Sequence, residues 1–521
     1  MSRLLRTAGS MSCFTLLSRV LGLWRDRLMF TTLGDGWVQG TFLLAWMLPN
    51  LMRRLLGEGA LSASLIPAYA RLRSAEGKEP ARRLLASVVG VTVLILLPLC
   101  ALVAIGGLLW PSSWLPATAA GEGKANPLLL QLNAILFPYA LPVCLTAIFS
   151  GALNTLGRFA LPAAVPIALN LVWIAALYLA PVCGITVDTE VATFVAVFLA
   201  IGGVLQLLFV IVPLRRAGEL LRPTFAWPQR GTPARAVFVT MVPTAIGMSL
   251  TQVSSLLDQA MAYYLIAPGA NAYVYGANRL LLFPHALTAI SVAVAVFPKL
   301  AADAGANDRV ALRKTLDLAA SATIFVTLPA AVGMIVLGED VVRLLYEGGK
   351  FTEQAAHATT VTTQYLLAGL PFLGLAQLYA RAFYAIGDTK PPARLAAYLV
   401  ITNAILNYVL VTTTEMGTAA LTLASSLSAL VNALVLGIGF RRHAGRGTGF
   451  YGAWLRNIIA TAVMCLTIWL TKPPASTSHT SKLDLFLWHV GLPILIGVFT
   501  YLLTHVLMRS PELSALRRKR R

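Results

Sequence analysis

The sequence predicts an all-α polytopic membrane protein of about fourteen transmembrane helices, with two six-helix lobes related by pseudo-two-fold symmetry and two further C-terminal helices. Three observations predict it. Of 521 residues, 57% are hydrophobic and only 12% charged, where a soluble domain carries about 25% charged residues. Apolar stretches long enough to cross a hydrocarbon core of roughly 30 Å recur from end to end, and the ten-residue alternation of barrel strands is missing. The second half of the chain also repeats landmarks of the first.

In chain order, hydropathy places spans at roughly 8–32, 38–70, 84–110, 128–152, 160–182 and 190–213. A second set of six follows at roughly 236–264, 271–299, 316–338, 358–383, 393–412 and 418–440, then a pair at roughly 453–471 and 485–508. The expected organisation is a first lobe over 1–230, a second over 231–445, and a C-terminal region over 446–521 holding spans 13 and 14 and a basic tail. The first apolar run carries arginines and no small-residue cleavage site, so it reads as a span and not as a signal peptide. The five cysteines fall at unrelated spacings without a CxxC pair, which argues for small apolar packers over disulfides or a metal site.

An even number of spans puts both termini on one side. Sorting the 41 Lys and Arg residues between the two sides leaves roughly thirty with the termini and about five opposite (Lys124, Arg343, Lys350, Lys472, Lys482). That bias predicts cytoplasmic N- and C-termini. Most of the net charge of +20 is therefore topological, not the footprint of a nucleic-acid partner.

The repeat has an offset of about 230 residues. Phe137-Pro138, Gly157 and Pro162 return as Leu370-Pro371, Gly387 and Pro392, and Pro49 and Pro67 of the second span answer Pro284 and Pro298 of the eighth. Six spans per unit make the repeats parallel, the arrangement in which a central site lies between two rocking lobes.

Ionisable groups at membrane depth cost about 2.5–3.5 kcal/mol each on insertion scales and usually mark function. In the first span, Arg19, Gly22 and Arg25 step round the helix by about 60° each, so both guanidinium groups are expected to border one wedge with the glycine leaving room between them. Asp26 is expected to return to the face of Arg19 and partly neutralise it. In the second span, Pro49-Asn50-Leu51-Met52-Arg53-Arg54 and Glu58 sit in a Pro/Gly-broken helix, and Arg279 lies in its counterpart, which is expected to run unbroken from Ala272 to Pro298. Interrupted helices at corresponding positions point to a transporter's binding site. The positive surplus suits a phosphate-bearing ligand gripped by guanidinium forks. The expected substrate-binding set is Arg19, Arg25, Asp26, Arg53, Arg54, Glu58 and Arg279. A weaker constellation is Asp258, alone in the seventh span, with Asn403 and Asn407 one turn apart in the eleventh; joined by Thr418 or Thr422 they are a candidate cation site, against the alternative of interhelical hydrogen bonding.

Ser18-Arg-Val-Leu-Gly-Leu-Trp-Arg-Asp26, followed by Leu48-Pro-Asn-Leu-Met-Arg-Arg-Leu-Leu-Gly-Glu-Gly-Ala60, resembles the MurJ (MviN) lipid II flippases of the multidrug/oligosaccharidyl-lipid/polysaccharide exporter superfamily. Gly276-Ala-Asn-Arg-Leu280, Gly348-Gly-Lys-Phe-Thr352 and Arg381-Ala-Phe-Tyr-Ala-Ile-Gly-Asp-Thr-Lys-Pro391 extend the resemblance over nearly the whole chain. It implies a bacterial inner-membrane protein that exports lipid II, the undecaprenyl-pyrophosphate-linked peptidoglycan precursor, to the periplasmic leaflet, with cell-wall synthesis proteins as further partners. It also implies cavity arginines, here Arg19, Arg25, Arg53 and Arg279. Acids that the family often carries are replaced by Gly40, Asn278 and Leu282, so the cavity is expected to be more positive than usual.

The same superfamily leaves an exporter of another polyprenyl-linked oligosaccharide or a MATE-like drug/cation antiporter as alternatives, although an antiporter calls for acids where this chain has arginines. An integral-membrane enzyme needs clustered carboxylates or metal ligands. Here the six histidines are scattered and no Walker A sequence serves an ATP-driven pump. No cofactor is expected, and the driving force is expected to come from the membrane potential or a monovalent cation.

Overall fold

Backbone polar groups find no water in hydrocarbon, so a chain this apolar has to satisfy them within its own helices. The computed structural model describes residues 2–55, 61–117, 125–285, 291–445, 450–473 and 481–511. Among these, twenty α-helices are accompanied by one isolated β-bridge, between Gly348 and Phe351. The first half runs α1 (Ser2–Leu33), α2 (Trp37–Met52), α3 (Leu61–Ala75), α4 (Lys78–Leu109), α5 (Ala125–Leu136), α6 (Ala140–Thr155), α7 (Ala160–Val182), α8 (Asp188–Arg216) and α9 (Pro233–Met261). The second half runs α10 (Ala270–His285), α11 (Ser291–Gly305), α12 (Arg309–Val336), α13 (Gly338–Leu345), α14 (Glu353–Ala368), α15 (Leu370–Ala385), α16 (Lys390–Thr413), α17 (Thr418–Ala444), α18 (Phe450–Thr471), α19 (Lys482–Asp484) and α20 (Leu492–Leu507).

Ten helical stretches of the described residues are long and apolar enough to cross a membrane. The expected spans outside that set are α1, α2 with α3, α9, and α10 with α11, the opening pair of each six-span repeat. In α1 the reason is chemical: Arg19, Arg25, Asp26 and Arg27 interrupt its apolar run. The residues that would join α2 to α3 and α10 to α11, including part of the run expected to be unbroken past Pro284 and Pro298, lie outside the described residues.

The chain divides into two compact units, Met1–Leu256 with Tyr263–Asn271, and Leu257–Ala262 with Ala272–Arg521. In the first, Leu65 and Tyr69 of α3, Leu85 and Val88 of α4, Ile148 and Leu153 of α6, and Val210 and Leu214 of α8 form one core. In the second, Leu300 of α11, Leu316 of α12, Leu378 and Phe383 of α15, and Phe440 and Ala444 of α17 form its counterpart at the offset seen in the sequence. The expected lobe boundary at 230/231 precedes α9, whose first turns complete the core of the first unit through Val237 and Phe238. The repeat extends to helix breaks. Pro138 lies in the tight turn Phe137–Tyr139 between α5 and α6, and Pro371 opens α15 where it meets α14, because a proline supplies no amide to continue the preceding helix.

Each unit is stapled by a buried acid. Glu219, 2% exposed after the end of α8, accepts from Tyr69 Oη at 3.0 Å and Arg73 Nη1 at 2.6 Å, and Lys78 Nζ lies 3.5 Å away. The hydrogen bond to Glu219 holds the Arg73 guanidinium above its ordinary pKa. In the second unit the acid sits on α13, a helix that hydropathy does not reveal because it is short and polar on one side. Asp340, 2% exposed, pairs with Lys472 at 2.6 Å and faces His489 Nδ1 at 3.8 Å. Arg343 pairs with Glu339 at 2.8 Å and Glu353 at 2.6 Å, while Lys482 donates to the Arg343 and Glu347 carbonyls. Thus two of the few cations that the sequence assigns opposite the termini, Lys472 and Lys482, bind the C-terminal pair to α13 and its end, and a third, Arg343, ties α13 to α14. The cysteines divide. Cys100 and Cys144 are buried packers as expected, whereas Cys13 and Cys183 are exposed because they sit where their helices have no covering neighbour.

Lys472→Ala should therefore destabilise the protein by about 2–5 kcal/mol, the cost of stripping one partner from a buried pair. Removing both charges together (Lys472→Met with Asp340→Asn) should recover most of it. Thermal unfolding in detergent measures both, and an unchanged midpoint for Lys472→Ala would show that the pair is not a staple.

Candidate functional site

The arginines that α1 carries are set in two different environments. Arg25 is buried at 6% exposure, whereas Arg19 is exposed, so they do not border one wedge as expected. The reason is the packing of α7 on α1: Arg25 reaches Asn170 and Trp173 of that helix, whereas Arg19 stays exposed. Gly22 likewise faces α7, where a Cβ would lie 3.8 Å from Asn170 Nδ2, and does not make room between the two guanidinium groups. Asp26, 3% exposed, pairs with its neighbour Arg25 and not with Arg19: Arg25 donates to Asp26 Oδ1 from Nε at 3.0 Å and from Nη2 at 2.6 Å. Arg25 also donates through Nη1 to Asn170 Oδ1 at 3.0 Å, and its guanidinium lies 4.4 Å from the centre of the Trp173 ring. Asn170 and Trp173 escaped the sequence reading because a lone Asn and Trp in an apolar helix carry no spacing signal.

In α2, Pro49 leaves the end of the helix short of a donor, and the chain widens into a π turn at 53–55. Half-buried Arg53 folds back and donates from Nε and Nη2 to Asn50 Oδ1 at 3.1 and 2.9 Å. Exposed Arg54 donates to Gln252 Oε1 of α9 at 2.8 Å. Glu58 lies outside the described residues.

In the second unit, Arg279 of α10 donates from Nε and Nη2 to Tyr275 Oη at 3.1 and 2.8 Å, one turn earlier on its own helix, and lies 5.0 Å from that ring's centre. The weaker constellation does come together. Asn407 Nδ2 donates to Asp258 Oδ1 at 2.6 Å and to Asn403 Oδ1 at 3.1 Å, and Asn403 Nδ2 donates to Ser428 Oγ at 3.0 Å. Its α17 members are Ser425, 3.5 Å from Asp258 Oδ2, and Ser428. Thr418 and Thr422 do not take part: Thr418 pairs with Thr362, and Thr422 bonds the Ala419 carbonyl. Seven residues separate Thr418 from Ser425, two turns along one helix face, so the sequence found the right face and the wrong depth. Asn407 Oδ1 is buried with no hydrogen-bond partner among the described residues, an acceptor beside a carboxylate that a small cation would satisfy.

The positions where acids are missing have local explanations. Asn278 bonds the Val274 carbonyl of its own helix at 2.9 Å, and Leu282 is 48% exposed. Gly40 is buried against the segment before α10, its carbonyl accepting from Asn271 Nδ2 at 2.8 Å. A Cβ there would lie 2.6 Å from the Pro268 carbonyl oxygen, so no side chain fits. Restoring the acid as Gly40→Asp should destabilise by about 1–3 kcal/mol or more, as overpacking does, and Gly40→Ala should already show the loss. Thermal unfolding of both variants decides it; full stability of Gly40→Asp would contradict the packing.

A sequence model of the family described as lipid II flippase MurJ matches residues 29–487. A probable lipid II flippase MurJ of Haemophilus influenzae is 30% identical over 507 residues, covering 93% of this chain and 96% of the relative. The lipid II flippase MurJ of Burkholderia cenocepacia is 31% identical over 470 residues, covering 88% and 87%. Among solved structures, lipid II flippase MurJ in an inward closed conformation superposes with a TM-score of 0.77 at 25% identity, covering 96% of this chain and 98% of that one. An inward-facing multidrug-resistance MATE family transporter of the MOP superfamily reaches 0.67 at 14% identity over 87% of this chain and 98% of its own, a likeness of fold alone. On a family match that spans most of its length, this chain belongs to the lipid II flippase MurJ family.

Proposed function

We propose that this protein moves lipid II from the cytoplasmic to the periplasmic leaflet of the bacterial inner membrane by alternating access, with both termini in the cytoplasm. The observation that carries the reading is the family match over 29–487, and the arginines agree with its chemistry. A pyrophosphate carries its charges on oxygens that a planar guanidinium grips in pairs. Arg19, Arg25, Arg53, Arg54 and Arg279 are the groups assigned to it, with Asp26 and Glu58 moderating the positive surplus. Tyr275, Asn50 and Gln252 each offer a neutral oxygen to one of these arginines. Moving the substrate breaks and forms no covalent bond, so no catalytic group and no cofactor enter the scheme.

The driving force is assigned to a monovalent cation taken up by Asp258, Asn403 and Asn407 together with Ser425, in addition to the membrane potential. Support comes from the three-helix arrangement around Asp258 and the partnerless Asn407 oxygen. Cation uptake there would reset the empty protein toward the cytoplasm.

Arg53→Lys and Arg279→Lys should complement a flippase-depleted cell poorly at normal protein level, because an ammonium cannot reproduce the fork. Arg25 behaves differently: Arg25→Ala removes a charged partner from Asp26 at 3% exposure and should lower the protein level as well as transport. Appearance of lipid II at the outer leaflet, followed with a periplasm-restricted probe after depletion and re-expression, tests the reading. Normal delivery by all four alanine variants at positions 19, 25, 53 and 279 would overturn it.

Asp258→Asn should slow transport and abolish its dependence on the coupling cation while leaving substrate affinity intact. Wild-type flux with unchanged ion dependence would reduce the constellation to helix packing.

A further inference from the structure

Arg25 is the most enclosed of the arginines assigned to the substrate, and beside Asp26 it has two partners from α7, Asn170 and Trp173. Asn170, 6% exposed, faces two ways: its Oδ1 accepts from Arg25 Nη1 at 3.0 Å, and its Nδ2 donates to the Ser18 carbonyl at 3.0 Å. Ser18 and Arg25 lie about two helical turns apart on α1, so a single amide spans that stretch. Its orientation is settled by chemistry, since an ammonium-like donor and a carbonyl acceptor each accept only one end of an amide.

Trp173, 1% exposed, presents its ring to Arg25 at 4.4 Å and is itself wedged against Phe42 at 5.7 Å and Trp46 at 5.1 Å, both of α2. Its indole Nε1 is buried without a hydrogen-bond partner among the described residues. An indole whose N–H finds no acceptor is a costly way to fill apolar space. What the indole supplies that leucine or phenylalanine would supply less well is the strongest cation–π face.

We infer that Asn170 and Trp173 are positioning residues for the transport reaction, which fix the Arg25 guanidinium from α7 by one neutral hydrogen bond and one ring face, contacts that add no negative charge to that of Asp26. This rests on the assignment of Arg25 to the pyrophosphate. Asp26 alone would hold Arg25 by neutralising it; the amide and the indole hold it without doing so. They also tie its position to α1, α2 and α7 together, so a shift of any of the three re-aims the group.

The test uses the full-length purified protein in detergent and two readouts. The first is modification of individual arginines by phenylglyoxal, followed by mass spectrometry, with exposed Arg19 as the internal reference. Arg25 should be protected in the wild type and become reactive in Asn170→Leu and Trp173→Leu. The second is binding of a short-chain isoprenyl pyrophosphate. Asn170→Asp keeps an acceptor, so Arg25 should stay protected, but the second carboxylate should weaken pyrophosphate binding about tenfold, the scale of one charged hydrogen bond. Trp173→Phe, which keeps a weaker ring face, should lie between wild type and Trp173→Leu in both readouts. A purely structural role for Asn170 predicts no such split between protection and affinity. Arg25 remaining protected in both leucine variants, or Asn170→Asp binding the probe like wild type, would overturn the inference. Failure of the wild type to bind the pyrophosphate would instead remove the substrate assignment, and the protection pattern would still decide whether α7 positions Arg25. Should the leucine variants fail to fold, Asn170→Asp and Trp173→Phe carry both readouts.

Discussion

A guanidinium group taken out of water has to bring its hydrogen-bond acceptors with it, and most of what is unusual in this structure follows from meeting that demand. Three of the arginines assigned to the substrate, Arg53, Arg54 and Arg279, are held by neutral oxygens from Asn50, Gln252 and Tyr275. Two of those partners lie within one turn on the same helix, so the holder travels with the arginine whatever the rest of the protein does. A carboxylate in the same place would bind more strongly and leave little net charge for a phosphate. Arg25 combines both solutions, with Asp26 on one side and Asn170 and Trp173 on the other.

This demand separates the helices into two kinds. Ten stretches of the described residues are apolar enough to cross a membrane on composition alone. The remaining expected spans carry the arginines assigned to the substrate and Asp258. Insertion costs of a few kcal/mol per charge are tolerable there because the surrounding helices are so apolar. The two buried acids, Glu219 and Asp340, belong to the scaffold. Glu219 gathers Arg73 and Lys78 and Asp340 takes Lys472, and each acid is nearly inaccessible, so the ties resist screening.

Gly40 shows how the missing acids fit this picture. Its carbonyl takes the Asn271 amide and its α-carbon lies against the Pro268 carbonyl. Backbone contact has taken the place of a side chain, and Thr41 beside it pairs with Tyr263 at 2.9 Å. Within the first unit, the start of α2 is therefore clasped to residues 263–271 by neutral hydrogen bonds.

The sequence by itself determined the helical membrane class, the repeat of about 230 residues, and which arginines stand in the expected spans. Hydropathy, proline and charge are local properties, and in hydrocarbon local properties have few ways to be overridden. Tertiary structure decided everything that depends on which face meets which neighbour. Arg19 and Arg25 are six residues apart and end in different surroundings because α7 covers only one of them. Asp26 chose the adjacent arginine over the one a turn and more away, and Ser425 replaced Thr418 at Asp258 because depth along α17 is set by packing and not by composition. Asn170 and Trp173 were invisible for the same reason: an isolated polar or aromatic residue in an apolar helix acquires a role only from the side chain that a second helix brings to it.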